Sequence, residues 1–117
     1  MAKPGSTPPS KLPVPVTAFL RGPLGEVSAS VIDVNPFGAE LHSKTRLAPN
    51  ERVGLTLRCP AVRGPALAIS GEIRTCREEP GPMYFLQVDF THTGDSEKRL
   101  QTFLWGLEEA RRKNRHR

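Results

Sequence analysis

The sequence predicts a mostly β protein, a six-stranded antiparallel barrel followed by one C-terminal α-helix. Three observations carry this. Short runs with an apolar residue at every second position recur from residue 14 to residue 90. Turns rich in Gly and Pro separate the runs. Near residue 95 the apolar spacing changes from that of a strand to that of a helix.

The elements follow in order. Residues 14 to 20 (VPVTAFL) form the first strand, and Pro15 marks it as an edge. RGPLG turns the chain. Residues 26 to 34 form the second strand, in which Val27, Ala29 and Val31 alternate with polar or small residues. A third strand begins at residues 39 to 41. LAPNE is a turn, after which Val53, Leu55 and Leu57 alternate with Gly54, Thr56 and Arg58 in a strand over residues 53 to 59. PAVRGP precedes the longest strand, residues 66 to 77, which EEPGP ends. Residues 83 to 90 form the last strand.

Leu100, Phe103, Leu104 and Leu107 then share one face of a helix spanning residues 96 to 113, and that face packs on the barrel. Asp95 or Ser96 caps it by accepting from a free backbone N–H. Glu97 in the first turn and Arg111 to Lys113 in the last suit the helix dipole. Gly106 costs the helix about 1 kcal/mol relative to Ala. Trp105 lies about 100° round from Leu104. It is expected to widen the packed face, with an exposed aromatic anchor for a partner as the alternative.

At 117 residues the chain fits one domain with one modest core. Residues 1–13 read as a flexible leader, with Pro4, Pro8, Pro9 and Pro13 among Gly and Ser. Residues 14–110 hold the barrel and helix, and residues 111–117 (RRKNRHR) a basic tail. The formal net charge is +5. The tail carries five Lys or Arg, and Lys3 and Lys11 lie in the leader. That leaves ten basic against 12 acidic residues in the folded part, a balance near neutral. A basic charge of this origin argues against a basic nucleic-acid-binding face. No apolar run is long enough to span a bilayer and no signal-peptide core is present, so a cytoplasmic protein without membrane insertion is expected. Cys59 and Cys76 fit a reducing compartment and read as small packed side chains.

Catalysis is not expected. His42, His92 and His116 are scattered, and no phosphate loop, metal-spaced cluster or nucleophile elbow occurs. The pairs Glu78-Glu79 and Glu108-Glu109 read as solvated. No cofactor and no metal are implied. What remains is DVNPFGAEL, residues 33 to 41, which interrupts an alternating stretch. Asp33 and Asn35 flank the break two residues apart, followed by Pro36 and Gly38. Two readings stand side by side. Asn35-Pro36 starts a turn, and Asp33 bonds local backbone N–H groups. Alternatively, the break presents polar side chains to a ligand, with Gly38 at positive φ or allowing close approach.

Together, six short strands, DVNPFGAEL after the second, LAPNERVGLTL beyond it, a long fifth strand, FLQVDF and a closing helix resemble a PilZ domain over residues 14 to 108. That family comprises bacterial receptors and adaptors of cyclic di-GMP signalling. Its motif Asp/Asn-x-Ser-x-x-Gly is met here by Asp33 and Gly38, with Asn35 in place of Ser. The resemblance implies that Asp33 accepts from the N1–H and N2–H groups of a guanine, with Asn35 bonding nearby. Members that bind the ligand also carry Arg-x-x-x-Arg before the first strand, where two phosphates and two guanines call for forked guanidinium donors. Residues 1 to 13 contain no Arg. Arg21 follows the first strand, and Arg111 and Arg115 have the right spacing at the wrong end of the chain. These three are the candidate auxiliary phosphate contacts. The expectation is a signalling adaptor, in motility or type IV pili, that binds a protein partner, with weak or absent cyclic di-GMP binding. A cyclic di-GMP receptor with arginines from elsewhere, and nucleic-acid contact through the tail, are the alternatives.

Overall fold

The computed structural model describes residues 12, 14–23, 25–62, 65–91 and 94–115, with side chains through Lys113. The leader, with Lys3 and Lys11, lies outside the described residues apart from Leu12, as do His92 and His116. Six strands form: β1 (Thr17–Gly22), β2 (Gly25–Val34), β3 (Gly38–Ser43), β4 (Arg52–Arg58), β5 (Leu67–Glu79) and β6 (Met83–Thr91). One helix follows, α1 (Gly94–Arg115). The strands close into an antiparallel barrel in the order β1-β2-β3-β6-β5-β4.

Alternation drives the closure. Ala18 and Leu20 on β1, Leu55 and Leu57 on β4, Ile73 on β5, and Leu86 and Val88 on β6 are almost wholly buried inside. Each large aliphatic side chain taken from water contributes about 1.5–3 kcal/mol. The first strand begins three residues later than the alternation predicts. It is also not an edge, because β1 pairs β4 from Thr17↔Arg58 to Arg21↔Gly54. Pro15, which cannot donate to a ladder, falls before the strand.

One irregularity positions the site. The β2–β3 register shifts between Val31 and Asp33. Val31 and Ile32 are both buried, and the inward face resumes at Val34. Without that extra residue, the alternation of Ala29 and Val31 would carry Asp33 into the core. The bulge turns its carboxylate to the outer wall.

Helix α1 packs Leu100, Phe103, Leu107 and Ala110 against the barrel, with Leu104 half-buried at the margin. A Cβ at Gly106 would stand 2.5 Å from Val62 Cγ1. The glycine that weakens the helix therefore lets it approach the β4–β5 connection. Two expectations are corrected. Trp105 does not widen the packed face: it is 76% exposed. The helix begins at Gly94, ahead of Asp95 and Ser96, so both lie within its first turn and neither is the cap. Glu78 is exposed, while Glu79 is half-buried, 3.5 Å from Arg77.

Candidate functional site

β2 and β3 are joined at the end of the barrel where β6 finishes. Asn35 N–H donates to Gly38 O at 3.0 Å, closing a tight turn around Pro36 and Phe37. The Asn35 side-chain oxygen accepts from Phe37 N–H at 2.8 Å and from Gly38 N–H at 3.1 Å. This is the work an Asn before Pro does well: its amide mimics a backbone acceptor. Phe37 O in turn accepts from Phe90 N–H at 2.8 Å, pinning the turn to β6.

Asp33 Oδ1 accepts from Val34 N–H at 3.0 Å. Gly38 is buried and does not adopt positive φ. A Cβ there would collide with the carbonyl oxygen of Val88. The close approach that needs glycine is thus to β6 of the same barrel.

The register brings carboxylates together around this turn. Asp33 pairs with Glu40, Glu40 with Gln87, and Gly38 with Asp89. Opposed residues of an antiparallel pair share a face, so Asp33, Glu40 and Asp89 all look outward. Arg74 on β5 brings a guanidinium to this wall, with Nη1 3.4 Å from Asp89 Oδ2. Phe37 projects from the tip of the turn, 79% exposed. Glu40, Asp89, Arg74 and the exposure of Phe37 escaped sequence reasoning. Phe37 lies within the quoted motif, but the others enter only once the register is known.

The candidate arginines are not gathered here. Arg21 pairs across the sheet with Glu26, seven residues before Asp33 along β2, and the other way round the barrel it falls level with Thr91 through Gly54 and Ser70. It reaches Glu26 Oε2 at 3.8 Å. Arg111 sits 17 residues into α1, about 25 Å along its axis from Gly94. It contacts Glu108 at 3.9 Å. The Arg115 side chain lies outside the described set. Among the described residues, no group of His, Cys, Asp and Glu is arranged to hold a metal ion. No helix of the described residues is long and apolar enough to cross a membrane.

Comparison with known proteins gives the same architecture. A family model for the PilZ domain matches residues 10–105. The fold superposes on a solved structure of the PilZ domain of YcgR from Escherichia coli with c-di-GMP, with a TM-score of 0.72, 14% identity and 93% of each chain covered. It also superposes on MrkH from K. pneumonia in its apo state, with a TM-score of 0.66 and 18% identity, over 97% of this chain and 55% of that one. No curated protein matches the sequence.

Proposed function

Since the chain belongs to the PilZ domain family, we propose that it is a non-enzymatic signalling adaptor of a bacterial cytoplasm. It acts by binding a partner protein, in motility or type IV pili, and takes cyclic di-GMP weakly or not at all.

The observation that carries this reading is the state of the motif. The Asn35 carbonyl oxygen is already shared between two backbone N–H groups. Asp33, Glu40 and Asp89 share its wall with Arg74, which answers Asp89 at 3.4 Å, so carboxylates outnumber cations where cyclic di-GMP would bring two phosphates. Two charge-assisted guanidinium contacts, worth about 1.5–3 kcal/mol each, have no counterpart in residues 1 to 13. Arg21 and Arg111 already answer Glu26 and Glu108, at 3.8 and 3.9 Å, and neither precedes the first strand, where the family motif places its arginines. Asp33 and Gly38 remain as the site's part-match to the family motif, addressing at most one guanine edge.

The exposed indole of Trp105 supports the protein-binding half. Large aromatic side chains left in water are the usual anchors of interfaces. Nucleic-acid contact through the tail has less support, since Glu108 and Glu109 answer Arg111 and Arg112 at 3.9 and 3.8 Å. Isothermal titration calorimetry with cyclic di-GMP tests the reading. The expected Kd is weaker than about 10 μM.

A further inference from the structure

β4 and β5 lie across the closed barrel from β2 and β3. A trough crosses their outer wall and reaches Thr91 at the end of β6. It is made of three adjoining cavities. The first, of 410 Å³, lies between Phe19 and Arg21 of β1 and Arg99 of α1, over Gly54, Ala68 and Ser70. The second, of 240 Å³, is lined by Val62, Leu67 and Phe103, with Lys98 and Arg99. The third, of 360 Å³, adds Arg58 beside Val62 and Phe103. Arg99 borders the first two, and Val62 and Phe103 border the last two.

Two features point to an occupant. Among the described residues lining the trough, four are cations (Arg21, Arg58, Lys98 and Arg99) and one is an acid, Glu26. The folded part of the chain as a whole is near neutral, so positive charge is concentrated here. The second feature is the floor. Gly54, Ala68 and Ser70 are outward positions where a strand ordinarily carries a larger side chain. Packing does not require Gly54, because a Cβ there would meet nothing within 4 Å. A strand glycine without a packing reason marks a place where another backbone can come close. The second cavity, with Val62 and Phe103, offers an apolar seat beside the charged one.

We propose that this trough binds an extended, acidic segment of a partner protein, seating one of its aliphatic side chains beside Val62, Leu67 and Phe103. From Gly54 to Arg58 the wall is about 13 Å long. With the stretch beyond to Val62, this matches about five or six extended residues. A nucleic-acid strand fits less well. Phe19, the ring that lines the first cavity, already carries the Arg58 guanidinium 5.9 Å from its centroid, and Phe103 is buried. Bases therefore find no open ring to stack on. The inference rests on the protein-adaptor reading and names where the partner docks.

The test uses the full chain as bait for a phage-displayed library of random dodecapeptides. Selected peptides are then measured by fluorescence anisotropy against variants. The expected consensus is acidic residues around one Leu, Ile or Met. Affinity should fall at least about tenfold in Arg21→Glu/Arg99→Glu, weaken with added salt, and persist in Arg46→Glu, an exposed charge outside the trough. All variants alter exposed side chains, and circular dichroism melts confirm that they fold. Four results would overturn the proposal: no enrichment, a consensus without acids, binding indifferent to Arg21 and Arg99, or displacement of the peptide by a single-stranded oligonucleotide. Self-association through the trough, read by light scattering and abolished by the double substitution, would assign the site to a second copy and overturn it as well. None of these results changes the cyclic di-GMP titration, on which the broader reading stands or falls separately.

Discussion

Replacing Gly38 by Ala puts one methyl group where the turn meets β6. The Cβ would enter the carbonyl oxygen of Val88, and would also lie 3.2 Å from Val88 C and 3.3 Å from Asp89 Cα. All three obstacles are backbone, so no side-chain rotation relieves the clash. The Gly38↔Asp89 pair must open, loosening β3 from β6 next to the turn. Overpacking of this kind costs about 1–3 kcal/mol, and a rigid backbone neighbour places this site near 3. In a domain of this size each kcal/mol moves the melting midpoint by about 4–8 °C, so a fall of about 12–24 °C is expected. Gly54→Ala is the matched control, since it too alters a strand glycine but meets open space. It should hold or raise the midpoint, with a gain of up to about 1 kcal/mol from the lost backbone freedom. Thermal melts followed by circular dichroism measure both. The reasoning fails if Gly38→Ala melts within about 3 °C of wild type, or if Gly54→Ala is equally damaging.

The other substitutions probe the turn, the tail and the helix. Asn35→Ala removes the acceptor of two backbone N–H groups at an exposed turn and should cost about 1–2 kcal/mol by urea unfolding, while Asn35→Asp, which keeps the acceptor, should cost less than half as much. Truncation before Arg111 discards two exposed ion pairs and no buried apolar side chain among the described residues, so the melting midpoint should drop by less than about 5 °C. A larger drop would show that the tail docks. Trp105 is the chain's one tryptophan, so intrinsic fluorescence should report a water-exposed indole, readily quenched by acrylamide. Trp105→Ala should change stability by no more than about 0.5 kcal/mol. An emission typical of a buried indole would contradict the helix packing.

Much of the fold was legible because β2 up to Val31, β4, β5 up to Ile73 and β6 keep their alternation, and the bounds of these four strands fall within two residues of expectation. β1 was misplaced because Val14 and Val16 extend the same pattern before the ladder begins. The bulge was hidden: Val31 and Ile32 are both apolar, and only the shifted register shows that Asp33 faces out. Trp105 lies only about 100° from Leu104, a residue at the margin of the packed face. Measured from Phe103, at the middle of the buried stripe, it lies about 160° round, on the opposite side. The Asn-Pro turn was readable from local chemistry. The acidic wall was not, because Glu40 and Asp89 are distant in sequence and meet only through the β3–β6 pairing. For the same reason Arg21, close to the second strand in sequence, is brought level with Ser70 and Thr91 only by the β1–β4, β4–β5 and β5–β6 pairings.

Calorimetric titration of the purified full chain asks directly whether this barrel recognises cyclic di-GMP. A motif whose Asn35 side-chain oxygen is occupied, on a wall where Asp33, Glu40 and Asp89 outnumber Arg74, should give a Kd weaker than about 10 μM, a free energy less favourable than about −7 kcal/mol, or no heat at all. Sub-micromolar binding would contradict the adaptor reading. Titration of Arg111→Ala/Arg115→Ala would then show whether the tail supplies the missing guanidinium forks. Affinity that survived this change would move the search to Arg21 and the leader lysines.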